Sequence, residues 1–567
     1  MLPTFLQALF SSETRLYALA WQDEAGPEMA VEAWWGKEEL SGGFEYIIDL
    51  LSTDARIPES KLLGRVVTLS TTLSDGSKFK RSGGVRSVIK LGSDGGFCRY
   101  RLTVVPWLWL TTRNRHNRVF QEKSVVEIID AVFSEFSQVA AWRWSDEVAQ
   151  FMADTRKRSY CVQYAENDFS FVSRLLAEEG LSWRIEADDK APSGHCVVIF
   201  ADSRSLPEDI LSQSANGGRG IRFHRADSQE DQDSVLAFGE RRKLQSGMTT
   251  VLSYDYKSKK SIATSVPTTL ALSGKHRCLE SYDDAGPYAF ASTAEAERYG
   301  RLAMEALEAR YQTWLGRGTV RSLAVGTRLD LIGLPINPNK LDADHRYIIT
   351  SAFHVGINNL TGDAMRAIAR RMKESQFIGI DNGLDTPDIH DIVHAPDTIP
   401  AELLSIAIER GYANNFEALH ADTPWRTRLI DDTGARLNPR PTAPGPMSAI
   451  VVGVDGNTVP NGVDEIWCDQ IGRIKIRYHW QQGETADDTS SSWVRVISRQ
   501  AGAGMGFQFL PRIGQEVLID FFNGDIERPF VMGTLYNGKG EGGIPATPGG
   551  AQGESDTSVF DQSTDHR

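Results

Sequence analysis

The sequence predicts a mainly β protein with some α (α+β), and three observations carry that expectation. Between Asp469 and Asn537, short apolar–polar alternations follow one another across glycine turns, about five strands in roughly seventy residues, a pattern that fits an OB-type barrel. Further strand-like runs fill residues 1 to about 120, with turn residues between them. Two amphipathic segments begin with Ser followed three residues later by Glu, the capping-box signature of a helix start. The length, 567 residues, leaves room for roughly three or four domains.

In chain order, strands are expected near 15–21, 44–51 and 62–69, and Trp107 and Trp109 in the run 105–110 are expected on a strand with one side buried. Ser124 and Glu127 open a helix over roughly 124–137, with Val125, Ile128, Ile129, Val132, Phe133 and Phe136 as its apolar stripe. A second helix starts with Asp168 as N-cap, carries Phe171, Val172, Leu175 and Leu176 on one face, and stops at Gly180. A strand with Leu181, Trp183 and Ile185 on one side follows. Residues 215–290 are charged and irregular, with a short strand near 233–238. Ser292 and Glu295 open a third helix, expected to end near Gly316, and strands return at 328–332 and 347–354. Pro400 and Gly411 bracket a short helix carrying Leu403, Leu404, Ala407 and Ile408.

The C-terminal series is the most regular. Ile474, Ile476, Tyr478 and Trp480 alternate with Arg473, Lys475, Arg477 and His479, so one face is core and the other is wet. Runs at 493–497, 507–510, 516–522 and 529–536 continue it, and Asn523-Gly524-Asp525 is its clearest hairpin turn. Beyond Asn537 the composition changes to glycine with Ser, Thr, Asp and Gln, which is linker chemistry.

The blocks DQIGRIKIRYHW at 469–480, SWVRV at 492–496, FQFLPRIGQEV at 507–517 and GDIERPFVMG at 524–533 resemble the VgrG family of type VI secretion spikes, relatives of contractile phage tail hubs. QYAENDFSFVSRLLAEEGL at 163–181 and VPWLWL at 105–110 resemble the same family. The resemblance implies a hub with two similar β-barrels and inserted helices over 1–372, a connector over 373–445, an OB barrel over 446–537, and a tail over 538–567 where a β-helix needle would start. It also implies a non-enzymatic homotrimer that caps the Hcp tube ring and carries a PAAR tip. Effector or adaptor proteins and baseplate components would be further partners. Such a chain would fold in the bacterial cytoplasm and leave on a contracting tail; a contractile phage tail hub is the alternative. Trp493, Phe507, Phe509 and Pro511 are the candidates for inter-subunit contact, against a role in the barrel core.

Composition narrows the remaining classes. Seventy-five acidic against 61 basic residues give a formal charge of −14, which disfavours a general polyanion binder, although Arg473, Lys475, Arg477 and His479 form a basic stripe of the kind some OB folds turn toward single-stranded nucleic acid. Cys98, Cys161, Cys196, Cys278 and Cys468 are scattered with no CxxC pair, which argues against a disulfide framework or zinc ribbon and for folding in a reducing compartment. The N-terminus lacks the basic and long apolar regions of a secretory signal, and the run 104–110 is too short to span a bilayer. No HExxH, GxSxG or GxxxxGK[ST] motif occurs; His390 and His394 lack the zincin glutamate, and Gly502-Ala503-Gly504-Met505-Gly506 reads as a hairpin or bulge. The paired acids Asp431-Asp432 and Asp487-Asp488 read as solvated turns. No catalytic, metal or cofactor-binding residue is therefore assigned.

Overall fold

The computed structural model describes residues 15–535, except 24–25, 95–96, 210–219, 224–231, 271–278, 335–344, 361–392, 394, 396–398, 432–435, 460–464 and 482–491. The tail after 535, Cys278, His390 with His394, Asp487-Asp488 and much of the connector thus lie outside the described residues.

A 12-stranded sheet dominates the hub. Its first half is N-terminal: Tyr17–Trp21, Ala30–Glu39, Gly43–Ser52, Val66–Thr72, Lys78–Asp94 and Phe97–Val105. The second half comes from Val235–Arg242, Gln312–Gly318, Arg346–Ile357 and Tyr412–His420, with Ile221–Arg222 and Arg328–Ile332 attached at one side. The halves join where Ala30–Glu39 pairs antiparallel with Arg346–Ile357, Trp35 opposite Val355. Each half buries its own core. One is built on Trp34, Tyr46, Ile48, Tyr100 and Leu102, the other on Val235, Leu329, Ile348, Ile349 and Phe416.

A third core lies under two helices, α1 (Val125–Ser134) and α3 (Asp168–Glu179), separated in sequence by the short α2 (Asp146–Phe151). The α1 capping box forms in full: Ser124 Oγ accepts from the Glu127 N–H at 3.2 Å, and the Glu127 carboxylate accepts from the Ser124 N–H at 2.7 Å. For α3 the cap is Asn167, not Asp168; Asn167 Oδ1 accepts the Ser170 N–H at 2.7 Å. Asp168 is instead the first helical residue and fully buried, its carboxylate held by Gln163 Nε2 at 2.8 Å. Gly180 ends α3 in the left-handed conformation, as expected.

Trp107 and Trp109 depart from the expected strand. Trp107–Thr112 is a 3-10 helix, because Pro106 supplies no N–H for a ladder and the Thr111 and Thr112 hydroxyls donate back to the carbonyls of Leu108 and Trp109. Trp107 packs edge-on against Phe133 in the helical core.

Within the charged stretch 215–290, Val235–Arg242 joins the large sheet, and Met248–Asp255 lies between Lys260–Pro267 and Glu280–Asp284 in a separate three-stranded sheet. It is covered by α4 (Thr293–Glu308) through Val266, Met304 and Leu307. Ser292 caps α4, but Glu295 reaches the Ala291 N–H instead of completing a box. The helix stops at Glu308 rather than near Gly316, which lies inside Gln312–Gly318 where a Cβ would fall 2.0 Å from the Phe416 ring. Finally, α5 (Ala401–Arg410) runs between Pro400 and left-handed Gly411, and lays Leu403, Leu404 and Ala407 on Trp35, Val355 and Ile357 of the sheet.

The C-terminal unit, here the collar, is a five-stranded sheet in the order Lys475–Tyr478, Met447–Val452, Glu516–Phe521, Pro529–Leu535, Arg495–Val496. The alternation holds: Ile474, Ile476 and Tyr478 are buried. The first strand is shorter than expected, because Asp469 accepts the N–H groups of Ile471 and Arg473 and so turns the chain before 473. Asn523 and Gly524 both take positive φ, in a longer connection than a two-residue turn. Residues 507–510 form no strand, whereas 501–506 make the expected hairpin, Ala501 opposite Gly506.

Candidate assembly surface

The collar shares its core with the hub. Tyr160 and Val162 pack with Ile474, Ile476, Val517, Ile519 and Val531, and Tyr164 lies 5.5 Å from the Trp480 ring. Around this seam runs a clamp of buried charges. Arg174, on α3, holds both Glu166 oxygens at 2.8–3.1 Å, donates to the Val162 carbonyl at 2.7 Å, and stands 3.8 Å from Glu527 of the collar. Glu527 in turn accepts the Val162 N–H at 3.1 Å. Arg440, from the connector, bridges Glu178 at 2.8 Å and Asp525 of the collar at 3.0 Å. Arg158 binds Glu178 and Glu179, each at 2.9 Å, and Arg298 joins Glu179 from α4. Burial alone would raise the Glu178 carboxyl; Arg158 and Arg440 outweigh it and hold it well below the usual carboxylate range. Asp525 is lowered likewise, burial being overcome mainly by Arg440 and Arg528.

Sequence reasoning missed this clamp, although two signals were present. Arg174, three residues after Phe171, flanks the stripe expected to be apolar. Glu178 and Glu179 crowd a helix C-terminus, where the macrodipole disfavours acids unless cations answer them.

Away from the seam the collar turns apolar groups to water. Phe509 is 81% exposed, Met505 70% and Phe507 56%, with Ile497 and Ile471 also exposed. Phe507 continues the hairpin, its N–H donating to the Gln500 carbonyl at 3.1 Å. Among the predicted contact residues, then, Phe507 and Phe509 share this ridge and do not line the barrel core, because 507–510 lies outside the ladder that would turn them inward. Pro511 is buried at its foot. Trp493 is half-buried elsewhere, 5.0 Å from Trp467, with Lys475 over both rings.

Among the described residues, one cluster has metal-ligand residue types, His116, Glu135 and Asp168. Arg118 occupies its middle, 2.7 Å from both His116 Nδ1 and Glu135 and 3.7 Å from Asp168, so a guanidinium supplies the positive charge a cation would bring. Within the basic stripe, Arg473 is tied to Asp469 at 2.6 Å. No described helix is long and apolar enough to cross a membrane.

Known proteins repeat this division. The profile of the phage tail baseplate hub (GPD) family matches residues 37–360, and that of the type VI secretion system/phage-baseplate injector OB domain matches 463–536. The type VI secretion system spike protein VgrG1b of Pseudomonas aeruginosa is 29% identical over 503 residues, 88% of this chain and 58% of its own; VgrG1a of the same organism is 28% identical, with 88% and 66% covered. The actin cross-linking toxin VgrG1 of Vibrio cholerae is 24% identical, with 92% and 42% covered. The chain thus spans about three fifths of the length of the first two relatives. In fold it is similar to an E. coli component of the type VI secretion system described as resembling the T4 tail proteins gp27 and gp5 (TM-score 0.56, 18% identity, 91% of this chain and all of that one). It is also similar to a chain of the half-lidded Francisella PdpA-VgrG complex (TM-score 0.54, 8% identity, 92% and 78%). With more than half of its length matched by the hub profile and VgrG spike proteins as relatives over most of the chain, the protein belongs to the phage tail baseplate hub family.

Proposed function

We propose that this chain is the hub and collar of a type VI secretion spike, a mechanical and non-enzymatic part that assembles as a homotrimer. The observation that carries the reading is the exposed Phe507/Phe509 ridge on a collar that buried charges fix to the hub. Obligate interfaces are more apolar than ordinary surface, and a ridge of this kind is what a heterologous contact repeated three times would cover. Hub over 1–372, connector over 373–445, collar over 446–537 and a needle start over 538–567 is the division that follows.

The two halves of the hub sheet, each with its own core, are the two similar modules of this reading; three chains would present six of them to the sixfold Hcp ring. The clamp would pass thrust from hub to collar as one body. A PAAR tip, effectors or adaptors, and baseplate components are the remaining partners, and export on the contracting tail the route. The test is to mix the purified chain with Hcp tubes and image the tube ends: a cap on one end is expected, and bare ends at saturating chain contradict the reading.

A further inference from the structure

A cleft of about 380 Å³ opens where hub, three-stranded sheet and collar meet. Its wall is cationic in a chain that is acidic overall: Lys257, Arg473, Lys475, Arg495 and Arg528 line it, against Glu122 and Glu527. Of these acids Glu527 is engaged with Val162 and Arg174, and Arg473 is matched by Asp469.

The cations lie over aromatic rings. Arg495 stands 4.4 Å from the Tyr256 centroid, Lys257 4.6 Å from that of Tyr288, and Lys475 5.4 Å from that of Trp493. A guanidinium stacked on a ring keeps its in-plane N–H edge for other partners, and that edge matches a carboxylate. Arg495 has no hydrogen-bond acceptor among the described residues.

We propose that this cleft docks a carboxylate-rich, extended segment of a partner polypeptide. Acidic side chains would meet Arg495, Lys257 and Arg528. Single-stranded nucleic acid suits the wall less well, because base binding needs open aromatic faces and here cations already cover them. The inference rests on the cleft and not on the trimer, so failure of the tube-capping assay leaves it standing.

The test is fluorescence anisotropy of the full chain with a labelled hexaglutamate peptide, with oligodeoxythymidylate and inorganic phosphate as competitors. Saturable binding is expected, weakened roughly tenfold by Arg495→Glu through like-charge repulsion and to a smaller degree by Arg495→Gln, and unchanged by Lys243→Glu, an exposed lysine outside the cleft. Melting curves of the variants show that each is folded. Absent binding, equal loss in the Lys243 and Arg495 variants, or displacement by oligonucleotide or phosphate at lower concentration than unlabelled peptide would overturn the proposal.

Discussion

Toward the hub the collar presents Glu527 and Asp525, and Arg174 and Arg440 of the same chain answer them. Toward its loops it presents Phe507 and Phe509, and among the described residues these rings stay mainly exposed. The first surface is complete within one copy; the second is the one that the proposed trimer would cover. Buried charge and exposed apolar surface, each unfavourable if left alone, thus mark two faces of the collar, one attached within the chain and one free for the contact proposed between copies.

Breaking the clamp gives the largest expected effect. Arg174→Met leaves Glu166 and Glu527 buried without their cation, at a cost of about 3–5 kcal/mol in urea unfolding. Adding Glu166→Gln and Glu527→Gln should recover much of that loss; if the single substitution is silent, the clamp is not what holds the collar.

A second internal contact responds to pH. His195 accepts the Trp107 N–H at Nε2 and faces the Ser193 carbonyl with Nδ1, so its neutral form fits, and burial lowers its pKa from 6.5 to about 4. Because the folded value lies below the unfolded one, the contribution is complete above pH 6.5 and is lost as pH falls toward 4, about 3 kcal/mol in all. Urea unfolding at pH 7 and pH 4.5 reads it, with His195→Gln expected to flatten the difference.

How much of this was legible in the sequence depends on whether the signal was local. Ser124 with Glu127, Gly180, Pro400 with Gly411 and the 474–478 alternation announced their elements, because caps, turns and faces are set by near neighbours. The pairing of Ala30–Glu39 with Arg346–Ile357 left no local trace, since the partners are some three hundred residues apart and each run reads only as a strand. The sheet around Met248–Asp255 was illegible for another reason: its strands are rich in Ser, Thr and charge, and α4 covers one face only. Family blocks brought Phe507 and Phe509 forward, yet their exposure needed the observation that 507–510 leaves the ladder. Arg440 and Asp525 could not be paired by reading along the chain at all.

Smaller effects sharpen the comparison further. Trp480 is half-buried against Tyr478 and Tyr164, so Trp480→Ala should cost about 3 kcal/mol, the low end for a large aromatic, in thermal or urea unfolding. Phe507→Ser with Phe509→Ser should change the stability of a single copy by no more than about 0.5 kcal/mol, because both side chains are mainly exposed in it. The same pair should abolish self-association, which sedimentation equilibrium would detect.

An electron cryo-microscopy reconstruction of the purified chain tests the central claim most directly. The account predicts a threefold particle in which the 501–506 hairpins and the Phe507/Phe509 ridges meet between copies, while each clamp stays within its own copy. Single copies with both rings facing solvent at every concentration, or a particle in which Arg174 reaches a neighbour's collar, would contradict it.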